Sequence, residues 1–422
     1  MRSPVGISLP KTLVANARAF HLAQKGDFYG FSTEEIKLDY DRVRDRMNEV
    51  RNGSNSGLTG WIEGAENVDL IREKGFLVDQ KVIQVGTEQI TAKNIFINVG
   101  TRPRIPGIDG INEVPWMDSA RLLDKPDLPE HLLVLGGGYI GVEFAQVFRR
   151  FGSKVTIIQR SQQLMPREDA DVATAIQDFL VEEGIEIRYG ASAIATRTRD
   201  GNIEVDVLIN EQTETITGTD LLLAIGRVPN SDTIAPEAAG LQVNARGFIE
   251  VDDYCQTNVE GVFALGDVNG HGGFTHTAVN DAEIVLDHLF GGQRKISDRN
   301  PVYALFTDPP LGRVGMTEQE ALASGRPILK ATKQMNTISR AKEMGETKGF
   351  AKLLVDGETD LVLGASILGI GGDEVINMFA AIMHSEIQCH NYRRVVLVHP
   401  TVSELMPWIL DGIKEAKEAT DT

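Results

Sequence analysis

Between residues 131 and 187 the chain alternates apolar runs with amphipathic stretches, and a glycine cluster sits at the first junction. HLLVLGGG reads as a buried strand running into a glycine turn, and YIGVEFAQVFRRFG as a helix closed by Gly152. SKVTIIQRS follows as a second strand, DADVATAIQDFLVEEG as a second helix, and IEIRYG as a third strand. That order specifies a parallel sheet covered by helices. The cluster Gly136-Gly137-Gly138-Tyr139-Ile140-Gly141 has GxGxxG spacing, directly after a strand and directly before a helix. In that setting it predicts a dinucleotide site. Gly136 permits the tight turn, Gly138 lets the backbone approach a pyrophosphate, and Gly141 lets helix and strand pack closely. The N–H groups and dipole at the helix start would hold the phosphates.

The end of the second strand bears on which dinucleotide binds. An acid there would bond the ribose 2′-hydroxyl. The chain has Gln159 and Arg160 instead, with Arg167 nearby. Arg160 can pair with a 2′-phosphate, which leans towards NADP over NAD; a solvated surface charge is the alternative.

Outside this block the pattern is coarser. Residues 11–24 have helical spacing, and residues 36–51 read as a long charged amphipathic helix. The runs GWIEGAENVDL, GFLVDQKVIQVG and EQITAKNIFINVG predict short strands from 61 to 100, the last ending at Gly100. Residues 203–225 read as a β-meander, 248–268 as strand, turn and buried strand, and 275–290 as a helix. From 302 onward, strands (AKLLVD, LVLGASILG, VVLV) alternate with helices (DEVINMFAAIMHSEI, SELMPWILDGIKEAKEA), predicting a separate α+β domain. GIGG at 369–372 lacks the flanking pattern of a second dinucleotide loop.

Sixty acids against 42 bases give a net charge of −18. That balance argues against nucleic acid as a partner, because backbone phosphates need a basic surface. No apolar run is long enough to span a bilayer, and the start does not read as a secretory signal. Two cysteines, Cys255 and Cys389, make neither a disulfide framework nor a four-thiolate metal site, so no metal and a cytoplasmic location are expected.

Two further positions carry chemistry. Asp267 closes a buried strand after Gly266, where it would accept hydrogen bonds from a nucleotide sugar or chain hydroxyl, or cap the next helix. His399 lies five residues before Glu404, an arrangement in which a carboxylate can orient an acid/base imidazole. Alternatively, Thr401 or Ser403 caps a helix with Glu404 in its first turn. His384 and His390 read as ordinary helix and loop residues.

Taken together, these motifs resemble the class I pyridine nucleotide-disulfide oxidoreductases, the family of dihydrolipoamide dehydrogenase and mercuric reductase. The matching strings are KTLVANARAFHLA, INVGTRPRIPGI, LLVLGGGYIGVEFAQVFRRFGSKVTII, LLLAIGRVPN, TNVEGVFALGDV, FTDPPLGRVGMTE and HPTVSE, in that order from about residue 11. The resemblance implies an α/β chain with two Rossmann-like dinucleotide-binding domains and a C-terminal α+β dimerisation domain. It divides the chain at 1–117 (partial FAD-binding), 118–245 (NAD(P)-binding), 246–300 (the second FAD-binding segment) and 301–422 (dimerisation). It implies that Asp267 meets the ribityl chain of FAD, with Gly100, Gly226 and Gly266 in the cofactor motifs. Tyr139 matches an aromatic lid over the flavin, and Lys11 and Glu143 an ion pair near the flavin N5. His399 and Glu404 match the acid/base dyad received by the partner's active site, which implies a homodimer. Hydride would pass from NAD(P)H to FAD and on to a small-molecule acceptor.

Two departures accompany the match. The family's Cys-x4-Cys pair is missing: Met1 to Pro4 supply no first cysteine, and Ile7 and Ser8 stand where the second would be. Without an attacking thiolate there is no disulfide exchange. The strand–GxGxxG–helix for the FAD pyrophosphate is also missing, so the FAD domain reads as incomplete. An N-terminal truncation, natural or of the gene model, would account for both and predicts exposed sheet edges and reduced stability. A catalytically impaired remnant that keeps NAD(P) binding and dimerisation is the alternative function.

Overall fold

The computed structural model describes residues 9–32 and 35–416, which divide into two compact units. One comprises residues 10–46, 106–224 and 300–422; the other comprises 47–105 and 225–299, together with the chain start.

In the first unit, the alternation at 131–187 becomes a four-stranded parallel sheet. Its order is Asp220–Leu223, His131–Leu135, Lys154–Ile158, Glu186–Arg188. Helices Tyr139–Phe151 and Ala170–Glu182 make the crossovers. The central strand is buried on both faces, with Leu132, Leu133 and Val134 fully inaccessible, which is why it reads as a continuous apolar run. Gly152 adopts φ +112° at the end of the first helix, and its N–H bonds back to Arg149 O. The β-meander follows as Ser192–Arg199, Asn202–Ile209 and Gln212–Gly218. Its two tight turns, Asp200-Gly201 and Asn210-Glu211, have positive φ at both central residues.

The rest of that unit is a six-stranded antiparallel sheet. Its order is Val302–Leu305, Leu311–Gly315, Val362–Leu368, Phe350–Asp356, Ile328–Gln334, Lys414–Glu415. Helix Gly372–His384 lies against it, so close that a Cβ on Gly312 would meet Gly372 O at 2.1 Å. Phe379, Ile376 and Val375 from this helix pack with Val314, Leu353 and Ile367 from the sheet.

In the second unit, Ile95–Ile97 and Val262–Ala264 form a parallel pair with no further strand beside it among the described residues. A three-stranded antiparallel sheet (Gly75–Asp79, Val82–Val85, Glu88–Thr91), helix Thr275–Leu289 and a short ladder between Thr101–Pro103 and Arg227–Pro229 complete it. Its core is Leu77, Ile95, Ile97, Ile249, Val262, Ala264 and Val268.

Three expectations are corrected. The second helix runs from Tyr40 to Glu63, through the first part of the run read as a strand at 61. Once nucleated, a helix gains one hydrogen bond per added residue, which carries it through Gly53, Gly57 and Gly60. The helix expected after residue 403 is broken into Ser403–Leu405, Met406–Ile409 and Leu410–Gly412, because Pro407 has no N–H to donate. Residues 395–398 are not a strand, and Val396 and Val398 are 95% and 75% exposed.

Candidate functional site

The glycine turn has the geometry its spacing predicts. Gly136 sits at φ +106°, and its N–H donates to Ile158 O at 2.9 Å. A Cβ on Gly141 would lie 2.0 Å from Gly136 O, so only glycine lets the helix start so close to the strand. A Cβ on Gly138 would meet nothing within 4 Å, and no side chain caps this helix start. The turn therefore presents open space and free backbone donors, the arrangement that receives phosphate oxygens.

Gln159 and Arg160 part ways here. Gln159 is buried and serves the turn itself: its Oε1 accepts from Gly137 N–H at 2.8 Å and its Nε2 donates to Gln163 O at 3.0 Å. Arg160 is exposed, and none of the described residues pairs with it.

The helix that starts at the turn carries Tyr139 and Glu143 four residues apart, on one face. Glu143 is buried and holds Lys11 Nζ at 2.6 and 2.8 Å. Phe306 N–H donates to the same carboxylate at 2.8 Å, and Lys11 Nζ lies 4.0 Å from the Phe306 ring centroid. The segment after Phe306 is fixed by ions. Asp308 pairs with Arg150 and Arg18, and Arg150 also holds Glu183 at 2.8 Å. Burial alone would raise the Asp308 carboxyl, but Arg150 and Arg18 hold it below the usual range. His21, nearby, is pushed down to about 4 by burial and the charge of Arg150, so it stays neutral.

Tyr139 donates its hydroxyl to Glu168 at 2.6 Å. Tyr303 donates to the same oxygen at 2.5 Å, and the two rings lie 5.6 Å apart. Burial, then the Glu168 charge, raises both phenols above their ordinary value, so both keep their protons. Behind Glu168 stands Arg313, 3.6 Å from its other oxygen and 3.1 Å from Asp169. Asp169, Asp171 and Glu318 form a carboxylate cluster of the kind that can hold a metal. Here the ammonium of Lys352 lies 2.9, 2.7 and 3.1 Å from them. Burial raises the Asp169 carboxyl, but Arg313 and Lys352 overcome it and hold it low.

In the other unit, Asp267 is the second residue of the short turn Gly266–Asn269 and does not cap helix Thr275–Leu289. Its Oδ2 accepts from Thr101 Oγ1 at 2.7 Å, one residue after Gly100 at φ +67°. Gly226, at φ +110°, accepts from Arg104 N–H, and the neighbouring Arg227 donates to Thr101 O at 2.7 Å. Gly266 N–H donates to buried Asp281 at 2.8 Å.

His399 is 73% exposed at its side chain, and its Nδ1 lies 2.8 Å from Glu404 Oε2. Thr401 Oγ1 accepts from Glu404 N–H at 3.2 Å, so the capping and the imidazole–carboxylate arrangements coexist. Cys255 and Cys389 are buried, and burial pushes both thiols up to about 12. The positions where the redox cysteines would stand, Met1 to Pro4 with Ile7 and Ser8, lie outside the described residues.

Residues 4–282 match the profile of the pyridine nucleotide-disulphide oxidoreductases, and residues 302–410 match the dimerisation domain of the same proteins. The chain belongs to this family. Its members are NAD(P)H-dependent flavoprotein oxidoreductases. A probable pyridine nucleotide-disulfide oxidoreductase of Escherichia coli K12, RclA, is 38% identical over 89% of this chain and 86% of its own length. A mercuric reductase of Lysinibacillus sphaericus is 31% identical over 88% of this chain and 68% of its own. The solved structure of the HOCl-induced flavoprotein disulfide reductase RclA superposes with a TM-score of 0.84 at 35% identity, covering 96% of this chain and 88% of that one.

For a pyridine nucleotide-disulphide oxidoreductase, several of the polar residues that are most closely paired here were not singled out by sequence reasoning. Glu168, Tyr303 and Lys352 belong to no motif, and Arg313 lies within the matching string FTDPPLGRVGMTE without having been singled out. Lys352 and Arg313 did leave one signal: each is a lone cation inside an apolar strand, and such charges are almost never buried unless paired.

Proposed function

We propose that this chain takes hydride from a nicotinamide dinucleotide, NADP in preference to NAD, onto bound FAD and delivers the electrons to an acceptor that needs no disulfide relay. The observation that carries the reading is the helix Tyr139–Phe151. Its uncapped start faces open space, and the same helix carries Tyr139 and the Lys11-paired Glu143. The residues present fit the dinucleotide phosphates and the ribityl part of FAD, while the chain carries no second strand–GxGxxG–helix for the FAD pyrophosphate. Gly136, Gly138 and Gly141 leave a cradle for the dinucleotide phosphates, and Arg160 would meet a 2′-phosphate. Asp267, beside Thr101, Gly100 and Gly266, would hold the ribityl chain of FAD, with Gly226 in the adjoining ladder.

FAD, when bound, accepts a hydride and releases electrons singly or in pairs. By the family resemblance, Lys11, fixed by Glu143, would supply a positive charge that favours hydride transfer to the flavin. By the same resemblance, Tyr139 would be the aromatic lid that the nicotinamide displaces. Neither Cys255 nor Cys389 supplies a thiolate, so the acceptor is of the quinone or dye type, reduced directly. His399, its Nδ1 held by Glu404, keeps Nε2 available to move a proton. Val396 and Val398, just before His399 in the chain, and Trp408 are exposed, which supports burial of these side chains in a homodimer. No described helix is long and apolar enough to cross a membrane, in keeping with a cytoplasmic enzyme.

A second reading, nucleotide binding and dimerisation without turnover, draws on the short pair Ile95–Ile97 and Val262–Ala264, flanked among the described residues only by the bridge between Gln256 and Phe263. Quinone reduction by NADPH separates the two. The first reading expects turnover that falls about a hundredfold in Lys11→Met, the loss typical of one removed electrostatic contact. No turnover in the parent protein supports the second.

A further inference from the structure

The contact between Tyr139 and Glu168 is not part of the phosphate cradle or of the Lys11–Glu143 pair. Glu168 reaches Tyr139 from the loop after the second parallel strand, and Tyr303 reaches the same oxygen from the antiparallel sheet. The Glu168 side chain is completely buried, with Arg313, itself buried, on its far side. Two hydroxyl donors at 2.6 and 2.5 Å on one carboxylate oxygen are short, charge-assisted bonds. Such a carboxylate, anchored by a buried guanidinium and a second phenol, cannot follow Tyr139 if its ring turns away. Any movement of that ring breaks the bond to Glu168.

We propose that Glu168 is a positioning residue that latches the Tyr139 ring in its resting place and so sets how readily a nicotinamide ring is admitted. This rests on the reading of Tyr139 as a lid. Tyr303 completes the latch by sharing the carboxylate oxygen and packing against the Tyr139 ring. The latch acts only on ligands that must displace the ring. A whole dinucleotide pays the cost of opening, whereas its adenosine half, seated on the glycine turn, does not. If the open state is a minor fraction, apparent affinity for the whole dinucleotide falls by that fraction.

The test is calorimetric binding of NADP+ and, separately, of 2′,5′-ADP to the full chain and to Tyr139→Phe, Glu168→Gln and Tyr139→Ala. Tyr139→Phe keeps the ring and loses only the latch. Both Tyr139→Phe and Glu168→Gln should bind NADP+ about tenfold tighter, the factor that one charge-assisted hydrogen bond contributes to such a balance, with 2′,5′-ADP unchanged. Their double variant should gain no more than either alone. Tighter NADP+ binding in Tyr139→Ala without any change in Tyr139→Phe or Glu168→Gln would overturn the latch and leave the lid standing. No change in Tyr139→Ala would remove the lid itself, and the latch with it. Equal gains for 2′,5′-ADP would show that the substitutions act on the glycine turn and would also overturn the proposal.

Discussion

Among the described residues, two parallel strand arrangements each end at glycines, and they differ in how many strands they have. The sheet around His131–Leu135 has four strands and two covering helices, and its central residues Leu132, Leu133 and Val134 are wholly inaccessible. The pair Ile95–Ile97 and Val262–Ala264 has no flanking strand among the described residues, and Phe96 is 49% exposed. Phe290, just after helix Thr275–Leu289 of the same unit, is 88% exposed. Both arrangements present a polar site at a strand end: the open turn at Gly138 in one, Asp267 with Thr101 in the other. A glycine turn and one well-placed carboxylate are local features, so each can be in place whatever the extent of the sheet beneath it.

The largest expected difference lies in the cores. Leu133→Ala should cost about 2–5 kcal/mol, because the cavity it leaves is closed on every side. Phe96→Ala should cost about 1 kcal/mol or less, since half the ring is already in water. Denaturant titration of the two variants checks this, and equal losses would mean that the sparse pair is as tightly built as the full sheet.

Next come the glycines. Gly141→Ala puts a methyl 2.0 Å from a backbone oxygen and should cost about 1–3 kcal/mol, with loss of NADP+ binding. Gly100→Ala meets nothing within 4 Å and carries only the strain of φ +67°, about 1 kcal/mol. Thermal melts with and without NADP+ distinguish the two. The smallest effect is on cofactor choice. Arg160→Glu should weaken NADPH binding about tenfold or more and leave NADH nearly unchanged. Equal losses would show that Arg160 does not read the 2′-phosphate.

Much of this was legible in the sequence, for reasons that differ by region. The 131–187 block was readable because its period, glycine stops and burial agree at every step. Lys11 and Glu143, 132 residues apart, were named only through resemblance, and the structure brings them into contact. The helix through Gly53 and Gly60 and the broken segment around Pro407 were misread: the first was read only to residue 51 with a strand from 61, where propagation carries it to Glu63, and the second was read as one helix that proline interrupts. The Glu168–Tyr303 contact joins residues 135 apart with no motif around either, so no local pattern could announce it.

The central claim is that this chain holds a flavin that NAD(P)H reduces. An absorbance spectrum of the purified protein, reconstituted with FAD and then mixed with NADPH under anaerobic conditions, tests it directly. The account predicts a protein-bound flavin band that bleaches on addition of NADPH. A protein that binds NADPH but shows no bound flavin band, or one whose band persists unbleached, would contradict it.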